Sequence, residues 1–90
     1  MKFKKIDVLP DHVLRIYLDD GTIIDFDVKP EIDRIPCYQP LRDVELFKTV
    51  QCKNQRIFWN DRFDFHLDQI MERGRYVSTM LHHDSASISA

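Results

Sequence analysis

Apolar and polar residues alternate in two runs near the start of the chain, Val13 to Leu18 and Thr22 to Val28, separated by Asp19-Asp20-Gly21. A period of two marks a strand with one buried face, and an Asp/Gly turn between two such runs predicts a β-hairpin. Its register follows from the apolar positions. A two-residue loop at Asp20-Gly21 would set Leu14 and Ile16 opposite Asp27 and Asp25. A three-residue loop, a type I turn closed by Gly21 in the left-handed position, instead pairs Leu18 with Thr22, Ile16 with Ile24 and Leu14 with Phe26. The opposite face then carries Arg15 against Asp25, and Tyr17 beside Ile23. One residue of slip moves every side chain to the other face, so the apolar pattern selects the three-residue loop.

Before the hairpin, Phe3 to Val8 predicts another strand, ended by Leu9-Pro10-Asp11 because proline cannot donate to a ladder. The three segments together predict an antiparallel meander with one face buried. Pro30 suits the first turn of a helix from Pro30 to Ile35, and Pro36 and Pro40 bracket an irregular connection. Asp43 is placed to cap a short helix from Val44 to about Lys48, with Leu46 and Phe47 toward the core. Thr49 to Lys53 and Arg56 to Trp59 predict a second hairpin about Asn54-Gln55, pairing Cys52 with Ile57 and Val50 with Trp59. After the turn Asn60-Asp61-Arg62, the segment Phe63-Asp64-Phe65 leads into a helix from His66 to about Arg73. Leu67, Ile70 and Met71 share one face of it, and Gly74 is placed to stop it.

The expected fold is therefore α+β. A three-stranded antiparallel meander is followed by a short helix, a second hairpin and a C-terminal helix packed on the sheet. Residues 1–74 form one domain in this reading and 75–90 an extension, whose end from Asp84 to Ala90 is low in bulky residues and reads as a frayed tail.

The chain of 90 residues is 43% hydrophobic and 31% charged, a globular composition for one domain, with a formal net charge of -2. That balance argues against direct nucleic-acid binding, which calls for a basic face. No apolar run approaches a membrane span, and Met1-Lys2-Phe3-Lys4-Lys5 lacks the apolar core of a signal peptide, so a cytoplasmic protein is expected. Cys37 and Cys52 lack the Cys-x-x-Cys spacing of a zinc site and are expected to be reduced, Cys37 as a small hydrophobe.

Chemistry is sparse along the chain. Asp61, Asp64, His66 and Asp68 are the densest group of potential metal ligands, and a metal-binding protein or metal-dependent enzyme is the alternative function they suggest. Asp61 or Asp64 also suits a helix N-cap, Asp68 suits a first helical turn, and His66 would point away from Asp64 on a helix. Asp19 and Asp20 lack the alternating acidic pattern of a calcium loop and read as turn formers. His82-His83-Asp84 lacks anything to pre-organise it, and His12, following a turn, is expected to face solvent. The two glycines, Gly21 and Gly74, cannot build a phosphate loop, and no serine sits in a nucleophile elbow. A non-enzyme without a cofactor is the expected class. What remains is surface: Tyr17, Ile23 and Phe58, with Arg15 and Arg56 beside them, fall on the faces opposite the apolar ones. Aromatic residues and arginine are what protein interfaces favour.

The order of these features resembles a known family. Leu18-Asp19-Asp20-Gly21 stands before a strand ending in Phe26-Asp27-Val28. Pro30, Pro40-Leu41-Arg42-Asp43, Phe47 ahead of Val50, and Ile57-Phe58-Trp59 followed by Asp64 come after it. The pattern, from about Phe3 to Gly74, is similar to the short bacterial domains of unknown function numbered twenty-four forty-two in the DUF series. The resemblance implies a small α+β fold, a bacterial source and pairing with another small protein in a toxin–antitoxin-like arrangement. Some members carry an appended helix-turn-helix, for which Arg75 to Ala90 is too short, and no catalytic residue carries over. The expected function is a non-catalytic protein-interaction module, antitoxin-like or regulatory, whose partner is another small protein or a second copy. The second alternative is a nucleic-acid-binding regulator.

Overall fold

A computed structural model describes residues 2–60 and 63–78. Two antiparallel sheets share one core. Strands β1 (Phe3–Leu9), β2 (Val13–Leu18) and β3 (Ile23–Asp27) form the predicted meander, and β7 (Arg75–Ser78) adds to β3, giving the order β1-β2-β3-β7. Strands β4 (Gln51–Lys53), β5 (Arg56–Trp59) and β6 (Phe63–His66) form the second sheet in that order. Helices α1 (Lys29–Arg34), α2 (Val44–Phe47) and α3 (Leu67–Arg73), with a 3-10 segment over Pro36–Arg42, fill the connections.

The hairpin has the register that its apolar pattern requires. Leu14 pairs with Phe26, Ile16 with Ile24, Arg15 with Asp25 and Tyr17 with Ile23. The loop closes through bonds from Leu18 N–H to Thr22 O and from Gly21 N–H to Leu18 O, with Gly21 at φ 94. That positive φ is open to glycine without steric cost. Asp43 caps α2, its carboxylate accepting from Glu45 N–H at 3.0 Å. In the second hairpin Cys52 pairs with Ile57 and Asn54 takes φ 56, while β4 starts only at Gln51, leaving Val50 and Thr49 outside the ladder.

Leu14, Ile16, Ile24 and Phe26 from the first sheet and Ile57, Trp59, Phe63 and Phe65 from the second are buried together with Leu41, Phe47, Leu67 and Ile70. The sheets meet edge-to-face at Phe26 and Phe65, with ring centres 5.1 Å apart. Trp59 lies between Phe47 at 5.7 Å and Phe65 at 6.0 Å, and its indole N–H donates to the Phe47 carbonyl.

Two expectations are corrected. Phe63–His66 is a strand, not a lead-in to a helix, so α3 begins at Leu67 with His66 as its cap. Phe63 and Phe65 alternate with Asp64 and pair with Trp59 and Ile57, which buries both rings on one face. Arg75–Ser78, expected in the extension, is instead β7, antiparallel to β3. Tyr76 and Val77 are good strand formers, and β3 offers them a ladder. Gly74 ends α3 as expected, in an extended conformation with φ -78. A side chain there would collide with the Ile24 side chain and the Ile70 carbonyl, so the glycine permits the close approach of α3 to β3. The tail from 79 to 90, including His82 and His83, lies outside the described residues.

Candidate functional site

Buried Leu14, Ile16, Leu18, Ile24 and Phe26 give the first sheet its inner face, so the residues between them form an outer one. Across that face a row of alternating charge crosses all four strands. Asp7 pairs in register with Arg15, Arg15 with Asp25, and Asp25 with Arg75. Arg15 grips Asp25 with two bonds, Nε to Oδ1 at 2.8 Å and Nη2 to Oδ2 at 2.9 Å. Arg75 reaches the same carboxylate at 3.7 Å from the strand edge. Two residues along β2, on the same face, the Tyr17 hydroxyl donates to Asp7 Oδ2 at 2.9 Å, and Lys5 Nζ lies 4.5 Å from the Tyr17 ring centre. Arg15, Tyr17 and Ile23 are thus brought together, half-buried and held by neighbours.

The hydrogen bonds to Arg15, with the positive charges of Arg15 and Arg75, hold the Asp25 carboxyl below the ordinary carboxylate range against the opposing effect of burial. Conversely, the bond to Asp7 pushes the Tyr17 phenol above its usual value. For Asp25 the sign of the pH dependence follows. A carboxylate depressed in the folded state contributes stability that is fully present above its unfolded value and is lost as pH falls through the folded one. Thermal unfolding scans should therefore show stability falling below the ordinary carboxylate range, about pH 4. The Asp25→Asn variant should start less stable at neutral pH and lose less on acidification. Parallel profiles for the two proteins would remove Asp25 as a source of the acid sensitivity.

Phe58 and Arg56 sit on the outer face of the second sheet, apart from the first group. The Arg56 guanidinium stacks 4.8 Å from the Phe58 ring centre while its Nε donates to Asp64 Oδ2 at 2.8 Å. His66 Nε2 lies 3.6 Å from the same carboxylate oxygen. The expectation that His66 points away from Asp64 is thus corrected: on a strand, residues two apart share a face. Asp68 is exposed in the first turn of α3, and Asp61 lies outside the described residues. Among the described residues no three His, Cys, Asp or Glu side chains come together in a group able to hold a metal. Asp64 is a partner of Arg56 here, and His66, together with Gln69, forms the capping box of α3.

Two clefts lie elsewhere. Pro36, Cys37, Pro40 and Phe63 line one of about 360 Å³, and the Cys37 thiol is exposed there rather than packed away. Burial raises the thiol of half-buried Cys52. His12, Lys29, Ile32, Asp33 and Arg42 line the other cleft, of about 300 Å³. His12 does not face solvent as expected. At φ 60 it turns its ring onto Phe47, with centres 4.6 Å apart, and Nε2 lies 3.0 Å from the Leu41 carbonyl.

Sequence reasoning missed the β7 edge. Arg75–Ser78 has β3 on one side and no described strand on the other, with Tyr76 and Val77 each 44% exposed. The only local signal was two strand-forming residues in a four-residue run, too short to stand out from a helix end. A family model described as "Protein of unknown function (DUF2442)" matches residues 3–76, which include most of this face and its edge. No curated protein and no solved structure matches the chain.

Proposed function

The chain belongs to the DUF2442 family of proteins of unknown function, and we propose that it is a non-catalytic protein-interaction module, an antitoxin-like or regulatory partner of another small bacterial protein. The observation that carries this reading is the outer face of the first sheet. Arg15, Tyr17 and Ile23 lie on it half-buried, each side chain fixed by a ladder neighbour, hydrogen bond or ion pair. A surface of arginine and aromatic groups already held in place loses little side-chain freedom on binding, and these residue types dominate binding energy at interfaces. Phe58 stacked under Arg56 offers a second, smaller patch of the same kind.

The reading is tested by capturing the tagged protein from its own cells and measuring which protein accompanies it, and in what ratio. One small protein at near-equal amounts is the expected result. Tyr17→Ala should then weaken that complex about tenfold or more, as removal of an aromatic anchor does, and Phe58→Ala measures the second patch. A complex that forms with unchanged affinity in both variants would place the contact on another surface.

A further inference from the structure

We infer that the outer face of the second sheet, along Lys53, Arg56 and His66, is the docking site for an acidic segment of the partner protein. The inference rests on the protein-interaction reading and names the chemistry of one contact surface.

Ile57, Trp59, Phe63 and Phe65 point into the core, so the residues alternating with them form the opposite face of the second sheet. The ladder register lines these residues up in two rows across β4, β5 and β6. One row is Gln51, Phe58 and Asp64, and the other is Lys53, Arg56 and His66. The second row sets a lysine directly opposite an arginine, an arrangement that destabilises a sheet. Asp64 is the one carboxylate in the two rows, and Arg56 Nε donates to it at 2.8 Å. Lys53 and His66 stand exposed at the two ends of their row.

The unmatched charge extends past the row. Among the described residues every arginine has an ion-pair partner, and the lysines without one are Lys2, Lys4 and Lys53. All three are exposed, and they gather at one junction: Phe3 N–H, between Lys2 and Lys4, donates to Asn54 O at 2.8 Å, next to Lys53. A chain with a formal net charge of -2 thus collects its unpaired lysines at one end of the second sheet. An anionic partner offsets that repulsion, and complementary charge of this kind sets partner choice and association rate. Arg56 supplies the directional contact. Its guanidinium is held over the Phe58 ring and against Asp64, and its two other nitrogens are the paired donors that a carboxylate accepts from. A nucleic-acid strand fits this face less well, because base stacking calls for an open aromatic ring and the guanidinium lies over Phe58.

The experiment is a titration of the full chain with hexaglutamate at low salt, followed by amide NMR shifts, beside a single-stranded oligonucleotide of equal charge. Hexaglutamate does not require the natural partner, so the outcome is separate from that of the capture experiment. The expected result is binding that moves the Lys53, Arg56 and His66 amides most and weakens as salt rises. Lys53→Glu is the discriminating variant, since it puts a carboxylate opposite Arg56 in the ladder. It should raise the thermal midpoint of the free protein while weakening hexaglutamate about tenfold, two effects that a purely structural role for Lys53 does not combine. No binding up to millimolar peptide, shifts centred on other residues, or a Lys53→Glu protein that binds like the parent each overturns the site. Tighter binding of the oligonucleotide assigns the face to nucleic acid and overturns the acidic segment as its occupant. A failed titration beside a partner that is still captured overturns this site and leaves the interaction reading to the first sheet.

Discussion

Replacing Trp59 by alanine is expected to destabilise the fold by about 3–5 kcal/mol, out of roughly 5–15 kcal/mol for a domain of ordinary stability. Trp59 is 0% exposed and packs against Phe47 and Phe65, so its removal opens a cavity where the second sheet meets α2. The loss also has a polar part. The indole N–H donates at 2.8 Å to the Phe47 carbonyl, near the end of α2, where carbonyl groups lack intrahelical partners. Trp59→Phe separates the two contributions: most of the ring packing stays, the Phe47 carbonyl loses its donor, and the expected loss is about 1–3 kcal/mol. Urea unfolding checks both values, through a lower midpoint with an unchanged slope. A Trp59→Ala protein as stable as the parent would mean the indole is not seated in the core.

The second large effect is expected at Glu31. Its carboxylate is nearly buried in the first turn of α1 and accepts at 2.6 Å from Arg34 on the same helix and at 2.6 Å from Arg73 at the end of α3. This group joins the segment after the meander to the helix that delivers the chain to β7. Cutting a buried carboxylate out of such a pair costs about 3–5 kcal/mol where both partners are buried. Here both guanidiniums are about half exposed and can be rehydrated, which brings the expectation for Glu31→Ala to about 2–3 kcal/mol. Glu31→Met, which fills the same space without a charge, should lose less, since apolar replacements of buried ion pairs are often close to neutral. Amide exchange locates the effect. Protection of the Gly74 N–H, bonded to Ile70 O at 2.7 Å, should fall in Glu31→Ala more than protection within the β2–β3 hairpin. Equal loss in both places would show that the carboxylate supports the whole fold rather than the α3 junction.

The positions that sequence reasoning placed well share a property: the deciding information lies within a few residues. The hairpin register is fixed because Leu14, Ile16, Ile24 and Phe26 can be buried together in only one of the two pairings, and Gly21 supplies the left-handed residue that this loop needs. Asp43 caps α2 through a bond to a residue two positions away. The same pattern put Arg15 against Asp25 and Tyr17 beside Ile23, so most of the outer face was legible before the fold was known.

What local pattern could not supply is pairing between distant segments. Phe63-Asp64-Phe65-His66-Leu67 satisfies the start of a helix and the end of a strand equally well, and β5 decides between them by burying Phe63 and Phe65 beside Trp59 and Ile57. That choice also sets Asp64 and His66 on one face and gives Asp64 to Arg56. Arg75–Ser78 becomes a strand because α3 returns the chain beside β3, an approach that Gly74 allows by having no side chain. His12 is drawn inward by Phe47 and the Leu41 carbonyl, both far along the chain. The sequence by itself determined the hairpin, its turn and the make-up of its outer face, because side-chain periodicity and turn chemistry act between near neighbours. Tertiary structure alone decided the third strand of the second sheet, the partners of Asp64 and Glu31, and the exposed β7 edge, because burial and strand pairing are settled between segments far apart in the chain.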